Sequence, residues 1–252
     1  MTQAAIEILD ISHNFGGIKV LSALNFKVTD GAIVGLLGPN GSGKSTLFNV
    51  LSGFIKPAKG DALLFGRPLN ALSVEQRCAQ GMLRTFQTPK LFENMTVLEN
   101  LMAGAYSQST GGLLAGMFAF PSARNEMIRM RNMAEGLASR FGLTAVLQEK
   151  AGKLTGGQRR LLEIVRVYAT APKVLMLDEP STGLSAEEIV QLMDLLKLFN
   201  SEGMTIFLVS HDMHLMSIAS EVHVLYFGEL IASGSMEEVK SNALVREVYL
   251  GA

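Results

Sequence analysis

Five apolar residues, Ile33-Val34-Gly35-Leu36-Leu37, run directly into Gly38-Pro39-Asn40-Gly41-Ser42-Gly43-Lys44-Ser45, and helical spacing then holds over residues 44–51 until Gly53 stops it. This passage constrains the fold more than any other. A short run apolar on both faces is the mark of a strand inside a parallel sheet rather than at a solvated edge. The glycines after it let successive backbone N–H groups turn toward one point, and a helix N-terminus adds its dipole there. The pattern G-x-x-x-x-G-K-[ST], placed between a strand and a helix, is a phosphate-binding loop. Lys44 is expected to reach the β- and γ-phosphates of a nucleotide. Ser45 is expected to ligate Mg2+ with help from a carboxylate elsewhere. The expected nucleotide contacts are Gly38, Pro39, Asn40, Gly41, Ser42, Gly43, Lys44, Ser45 and Thr46.

The carboxylate is found far downstream. Val174-Leu175-Met176-Leu177 is a second apolar strand, and it ends in Asp178-Glu179. In phosphate-loop enzymes an acid at such a strand end holds Mg2+, the role expected of Asp178. Glu179 is then placed to polarise an attacking water as a general base.

The rest of the chain alternates. Residues 6–11 and 20–28 read as strands of an edge sheet, 57–60 as a turn and 83–86 as a short strand. Residues 97–106, 123–141 and 156–169 carry helical periodicity. After the strand at 174–177 come a helix (186–199), a strand (205–209), a helix (213–219) and a strand (222–227). Such alternation predicts an α/β fold with a mainly parallel core sheet. Between about residues 90 and 155 the pattern is helical only. The expected organisation is therefore one domain over 1–252. Its catalytic core is 1–89 and 156–252, and an α-helical subdomain is inserted between them.

Composition narrows the function. The 252 residues carry 22 Lys and Arg against 23 Asp and Glu, a net charge of −1, which gives no electrostatic footprint for nucleic acid. A single cysteine, Cys78, excludes an internal disulfide framework and suits a reducing compartment. The N-terminus lacks the basic-then-apolar pattern of a signal peptide. No run approaches the roughly 18 apolar residues of a membrane span, and the apolar segment from Gly111 to Phe120 is too short.

Leu154-Thr155-Gly156-Gly157-Gln158, shortly before the Asp178-Glu179 strand, resembles the LSGGQ signature of ATP-binding cassette (ABC) ATPases. That resemblance spans about residues 6–250 and implies their fold: a RecA-like core, an antiparallel edge sheet and an inserted helical subdomain. Thr155, Gly156, Gly157 and Gln158 would form a second phosphate site that serves the ATP of a partner cassette, so that two chains pair head to tail around two ATPs. Thr155 replaces the usual serine and keeps the hydroxyl. Gln87, in Arg84-Thr85-Phe86-Gln87, matches the Q-loop glutamine that touches Mg2+ and water. His211, in Leu208-Val209-Ser210-His211-Asp212, matches the switch histidine at the γ-phosphate. Phe15 stands where the family often stacks an aromatic ring on adenine. Ser185, in Ser181-Thr182-Gly183-Leu184-Ser185, occupies a position usually held by aspartate, a departure on the surface that couples the two cassettes.

Within the family the chain resembles the branched-chain amino acid importer ATPases of the LivG type. The residues that carry this are Arg84-Thr85-Phe86-Gln87, Leu91-Phe92-Glu93-Asn94-Met95-Thr96-Val97-Leu98-Glu99-Asn100-Leu101, Gln158-Arg159-Arg160-Leu161-Leu162-Glu163-Ile164 and Val248-Tyr249-Leu250-Gly251. The resemblance implies an ATPase at the cytoplasmic face of the membrane that energises import of branched-chain amino acids or related small solutes. Its partners would be transmembrane permease subunits, a second ABC ATPase and, indirectly, a solute-binding protein. A short permease helix would enter a groove beside Gln87, lined by residues such as Leu91, Phe92 and Met95. Other readings remain open: the ATPase of a lipid or lipopolysaccharide exporter, or an ABC protein outside transport. An unrelated phosphate-loop kinase or GTPase lacks support, because no N-K-x-D guanine motif is present and the LTGGQ segment would have no role.

Overall fold

A computed structural model describes residues 3–106 and 121–250 of the chain. The apolar segment over residues 111–120 lies outside the described residues. The chain divides into two compact units. The first takes the chain up to Gln87, Lys173–Thr182 and everything from Ala186 onward, and the second takes Thr88–Pro172 with Gly183–Ser185.

The first unit holds two sheets. Strands β1 (Ala4–Phe15) and β2 (Ile18–Thr29) form a long antiparallel hairpin, which β4 (Lys59–Leu64) and β5 (Arg67–Pro68) extend in the order β2-β1-β4-β5. The second sheet runs β10-β9-β3-β8-β7-β6. Its members are β3 (Ile33–Leu37), β6 (Met82–Arg84), β7 (Val174–Asp178), β8 (Thr205–Val209), β9 (Glu221–Tyr226) and β10 (Glu229–Gly234). All its pairings are parallel except β9 with β10. Every residue of β3, β7 and β8 is buried, as their unbroken apolar runs predict for central parallel strands.

Helix α1 (Lys44–Ser52) leaves the Gly-rich loop with Leu47, Phe48, Val50 and Leu51 buried. They join one core with Ile6, Ile8 and Leu24 of the antiparallel sheet and Val34, Leu36 and Phe207 of the parallel one. Phe207 packs on Phe48 with ring centroids 5.1 Å apart. Truncating either ring to alanine would cost about 3–5 kcal/mol, so the loop and its helix rest on a stiff base. Short helix α2 (Val74–Ala79) follows β5, held at its start by a reciprocal capping box between Ser73 and Gln76.

The second unit contains α3 (Val97–Tyr106), α4 (Pro121–Arg140) and α5 (Gly156–Tyr168), with 3-10 turns at Thr144–Val146 and Ala151–Lys153. The sequence suggests an end near residue 155, but this unit continues through α5. Leu162, Val165 and Ala169 bury their side chains in one cluster with Val97, Leu98 and Leu101, so α5 completes the helical core. Asn100, fully buried on α3, accepts from Phe92 N–H (3.0 Å) and donates to the carbonyls of Phe92 (3.1 Å) and Thr96 (2.9 Å). It thereby satisfies the irregular backbone ahead of the helix. The remaining helices, α6 (Ala186–Ser201), α7 (Met213–Met216), α8 (Met236–Ser241) and α9 (Ala243–Leu250), belong to the first unit.

Candidate nucleotide site

The loop after β3 has the form its sequence predicts. Gly43 sits at φ 109°, and a Cβ there would lie 2.8 Å from the Val20 carbonyl oxygen. A Cβ on Gly38 would meet the Leu225 carbonyl and Ser42 Oγ at 2.4 Å each. Both positions therefore exclude any larger residue. Gly43 starts α1 with no side-chain cap and no acid in the first turn. The first N–H groups of such a helix have no carbonyl partners within it and suit an anion. Ser42 Oγ is buried and without a hydrogen-bond partner, a polar atom aimed at nothing in the protein. An uncapped helix start, two glycine-only positions and an orphaned hydroxyl together fit a polyphosphate.

Lys44 is buried beside this loop, and its Nζ donates to the carbonyls of Gly38 (2.6 Å) and Pro39 (2.9 Å). Burial pulls the lysine below its ordinary pKa, while the charges of Glu179 and Asp178 push the other way. The three groups thus share one electrostatic site. Ser45 is exposed, Thr46 half-buried, and Asn40 and Gly41 are exposed at the loop tip.

Asp178 ends β7, buried, with Oδ2 2.6 Å from Arg84 Nη2. Glu179 follows at φ +48°, a left-handed conformation unusual for a glutamate, and its N–H donates to the Val209 carbonyl at 2.9 Å. Such strain concentrates at functional sites. Its Oε2 lies 2.7 Å from His211 Nδ1 and accepts from His211 N–H at 3.3 Å. The ring of His211 is largely exposed. Tyr249 on α9 also enters this electrostatic field: burial pushes its hydroxyl up to about 12, with Glu179 adding to the shift. That hydroxyl is buried without a partner.

Lys44, Asp178, Glu179 and His211 are therefore brought together in the first unit. Gln87 is exposed three residues after β6. Phe15 closes β1, exposed, with its ring edge-on to His13 at 4.7 Å. Thr155, Gly156, Gly157 and Gln158 belong to the second unit and open α5 through a capping box. Thr155 Oγ1 accepts from Gln158 N–H (3.3 Å), and Gln158 Oε1 accepts from Thr155 N–H (3.0 Å). The sequence reading gave no role to Arg84 or Tyr249. For Arg84 the available signal was a cation at the end of a strand neighbouring the acidic one. Tyr249 carried none. Among the described residues no cluster of three or more His, Cys, Asp or Glu could hold a metal.

A parallel sheet that presents a phosphate loop after β3 and an acidic strand end on β7, with β8 between them, defines a phosphate-loop nucleotide hydrolase. A family model described as "ABC transporter" matches residues 21–182, and one described as "Branched-chain amino acid ATP-binding cassette transporter" matches residues 229–252. The chain belongs to the ABC transporter family and is an ATP-binding ATPase of that family. It is 38% identical to the high-affinity branched-chain amino acid transport ATP-binding protein LivG of Escherichia coli, over 253 residues that cover 100% of this chain and 99% of that protein. It is 36% identical, at the same coverage, to the corresponding protein BraF of Pseudomonas aeruginosa. A crystal structure of the ADP conformation of an ABC transporter's ATP-binding cassette superposes with a TM-score of 0.85 at 30% identity, with both chains covered at 100%. Among the described residues no helix is long and apolar enough to cross a membrane.

Proposed function

We propose that the chain is the ATP-hydrolysing subunit of an importer for branched-chain amino acids or related small solutes. The observation that supports the chemistry best is the Glu179–His211 pair held beside Lys44 and Asp178. Lys44 and the N–H groups at the start of α1 bind the phosphates. Ser45, Asp178 and Gln87 would hold Mg2+, which would neutralise phosphate charge when bound. Glu179 takes a proton from the attacking water, and His211 orients that carboxylate while its exposed ring edge faces the γ-phosphate. Phe15 offers its exposed face to adenine. Thr155, Gly156, Gly157 and Gln158 serve the ATP of a second cassette, of the same or a sister chain.

The C-terminal family match and the full-length likeness to LivG and BraF support the solute class. The permease is read as docking on the second unit, where Phe92 and Met95 are exposed apolar side chains. A membrane-embedded permease pair would then place the chain peripherally at the cytoplasmic face, with a solute-binding protein on the other side. The test is reconstitution with the genomically adjacent permease pair in lipid vesicles. The expected result is recruitment to the membrane and ATP-dependent uptake of leucine-type amino acids. Stimulation by RNA, or export of a lipid, would overturn this reading.

A further inference from the structure

We propose that Arg84 is the built-in counter-ion and positioning residue of Asp178, and that it sets the Mg2+ dependence of nucleotide binding. The inference rests on the reading of Asp178 as a cation ligand. The Arg84 and Asp178 side chains are each only 8% exposed and meet at 2.6 Å. A second guanidinium nitrogen, Nη1, donates to Asn49 Oδ1 at 2.8 Å. The plane lies over the rings of Phe48 (5.3 Å) and Phe86 (5.5 Å). Backbone pairing enforces the placement. Arg84 stands opposite Met176 in the β6–β7 ladder, and Thr85 N–H donates to the Met176 carbonyl at 2.9 Å. One side chain thus ties the acidic strand end to the helix of the phosphate loop and to the segment that leads to Gln87.

The arrangement does more than fill space. A buried carboxylate without a partner is costly, and neutralises if nothing compensates it. Arg84 sets its positive charge against Asp178 through Oδ2 and leaves Oδ1 as the second acceptor. An arginine can do this because it stays charged when buried. The same positive charge opposes a divalent cation at that carboxylate. Arg84 therefore steadies the cation-free state and weakens cation binding, so that the site responds to Mg·ATP rather than holding metal permanently.

The test uses the full chain carrying Glu179→Gln, so that ATP is not consumed. ATP binding and thermal unfolding are followed over a Mg2+ titration. Arg84→Met should lower the Mg2+ midpoint by about threefold or more, because a like charge next to the cation is gone. It should also lose more stability without Mg·ATP than with it. Arg84→Lys, which keeps the charge but loses the planar fork, should fall between. If Arg84→Met does not fold alone, adding Asp178→Asn should restore folding, since no uncompensated charge remains. An unmoved or raised midpoint, equal loss of stability with and without Mg·ATP, or no rescue by Asp178→Asn would each overturn the inference. Asp178→Asn alone is the control. If it leaves the Mg2+ dependence untouched, the assignment of Asp178 as ligand fails. If it shifts that dependence and the Arg84 variants do not, only the role of Arg84 fails.

Discussion

Two single residues carry sharp expectations. Glu179 is strained at φ +48° and bonded to His211, an arrangement suited to a fixed base. Glu179→Gln keeps shape and volume but cannot take a proton. It should retain ATP binding and lower turnover by about a hundredfold or more, read as steady-state phosphate release. Near-normal turnover would remove Glu179 from the base role. His223 makes the second case. It is buried in β9, 2.8 Å from Ser233 Oγ and 3.2 Å from the Lys27 carbonyl, with Glu221 at 3.7 Å and the tilted Phe26 ring at 4.4 Å. Burial lowers its pKa, and Glu221 and the Lys27 carbonyl only partly oppose that. Folding thus favours the neutral ring, and the unfolded chain binds more protons in the interval between the two pKa values. The stabilisation is complete above the ordinary histidine value of about 6.5 and is lost as pH falls toward the folded value. Denaturant unfolding at about pH 7.5 and about pH 5.5 should show His223→Gln losing less stability on acidification than the parent.

At the scale of elements, α1 is tied at both ends. Its N-terminus faces the phosphate loop, and its C-terminal carbonyls are taken by Arg77 of α2. Arg77 donates to Val50 (2.7 Å), Leu51 (2.6 Å), Leu69 (2.8 Å) and Leu72 (3.1 Å). A buried cation at a helix C-terminus is favoured by the dipole as well as by these bonds. Arg77→Met should cost roughly 2–4 kcal/mol by leaving several buried carbonyls unsatisfied, measured as a lower denaturant midpoint at constant slope. Arg77→Lys should recover only part, and a neutral Arg77→Met would show water filling the site. Nothing in the sequence marked Arg77, because a lone arginine in a polar stretch looks like a solvated one. The same limit hid α2 and β4, which are short, half-exposed and weakly periodic. The buried strands were legible because burial on both faces leaves an unbroken apolar run. The phosphate loop was legible because phosphate demands glycine, lysine and a hydroxyl at fixed spacing. The Glu179–His211 contact spans 32 residues, and no spacing rule gives it. It follows from β7 and β8 lying side by side with Asp178 opposite Val209, so that the residues just past both strand ends meet. Resemblance supplied those names, and strand order supplied the reason.

For the whole molecule, the decisive expectation concerns the second cassette. Thr155, Gly156 and Gly157 begin α5 with their capping box complete, and Thr155 and Gly156 are exposed. The helix is satisfied at its Thr155 cap, yet it still presents N–H groups and a positive dipole end outward. In the head-to-tail reading that surface belongs to the partner's ATP. An acidic side chain there would repel the phosphates of that partner's nucleotide and leave this chain's own phosphate loop untouched. Gly157→Asp should therefore bind ATP within about twofold of the parent, because its Lys44 site lies in the other unit, while hydrolysis in the assembled two-cassette transporter falls about tenfold or more. Binding is read on the isolated chain, and hydrolysis on the complex purified with permease and partner cassette. The complementary variant, Lys44→Ala, should instead lose ATP binding on the isolated chain. If Gly157→Asp also abolished that binding, the LTGGQ segment would serve the chain's own nucleotide. If it left the complex fully active, the segment would be a helix cap and nothing more. Only the split between intact binding and lost turnover fits a site shared between two chains.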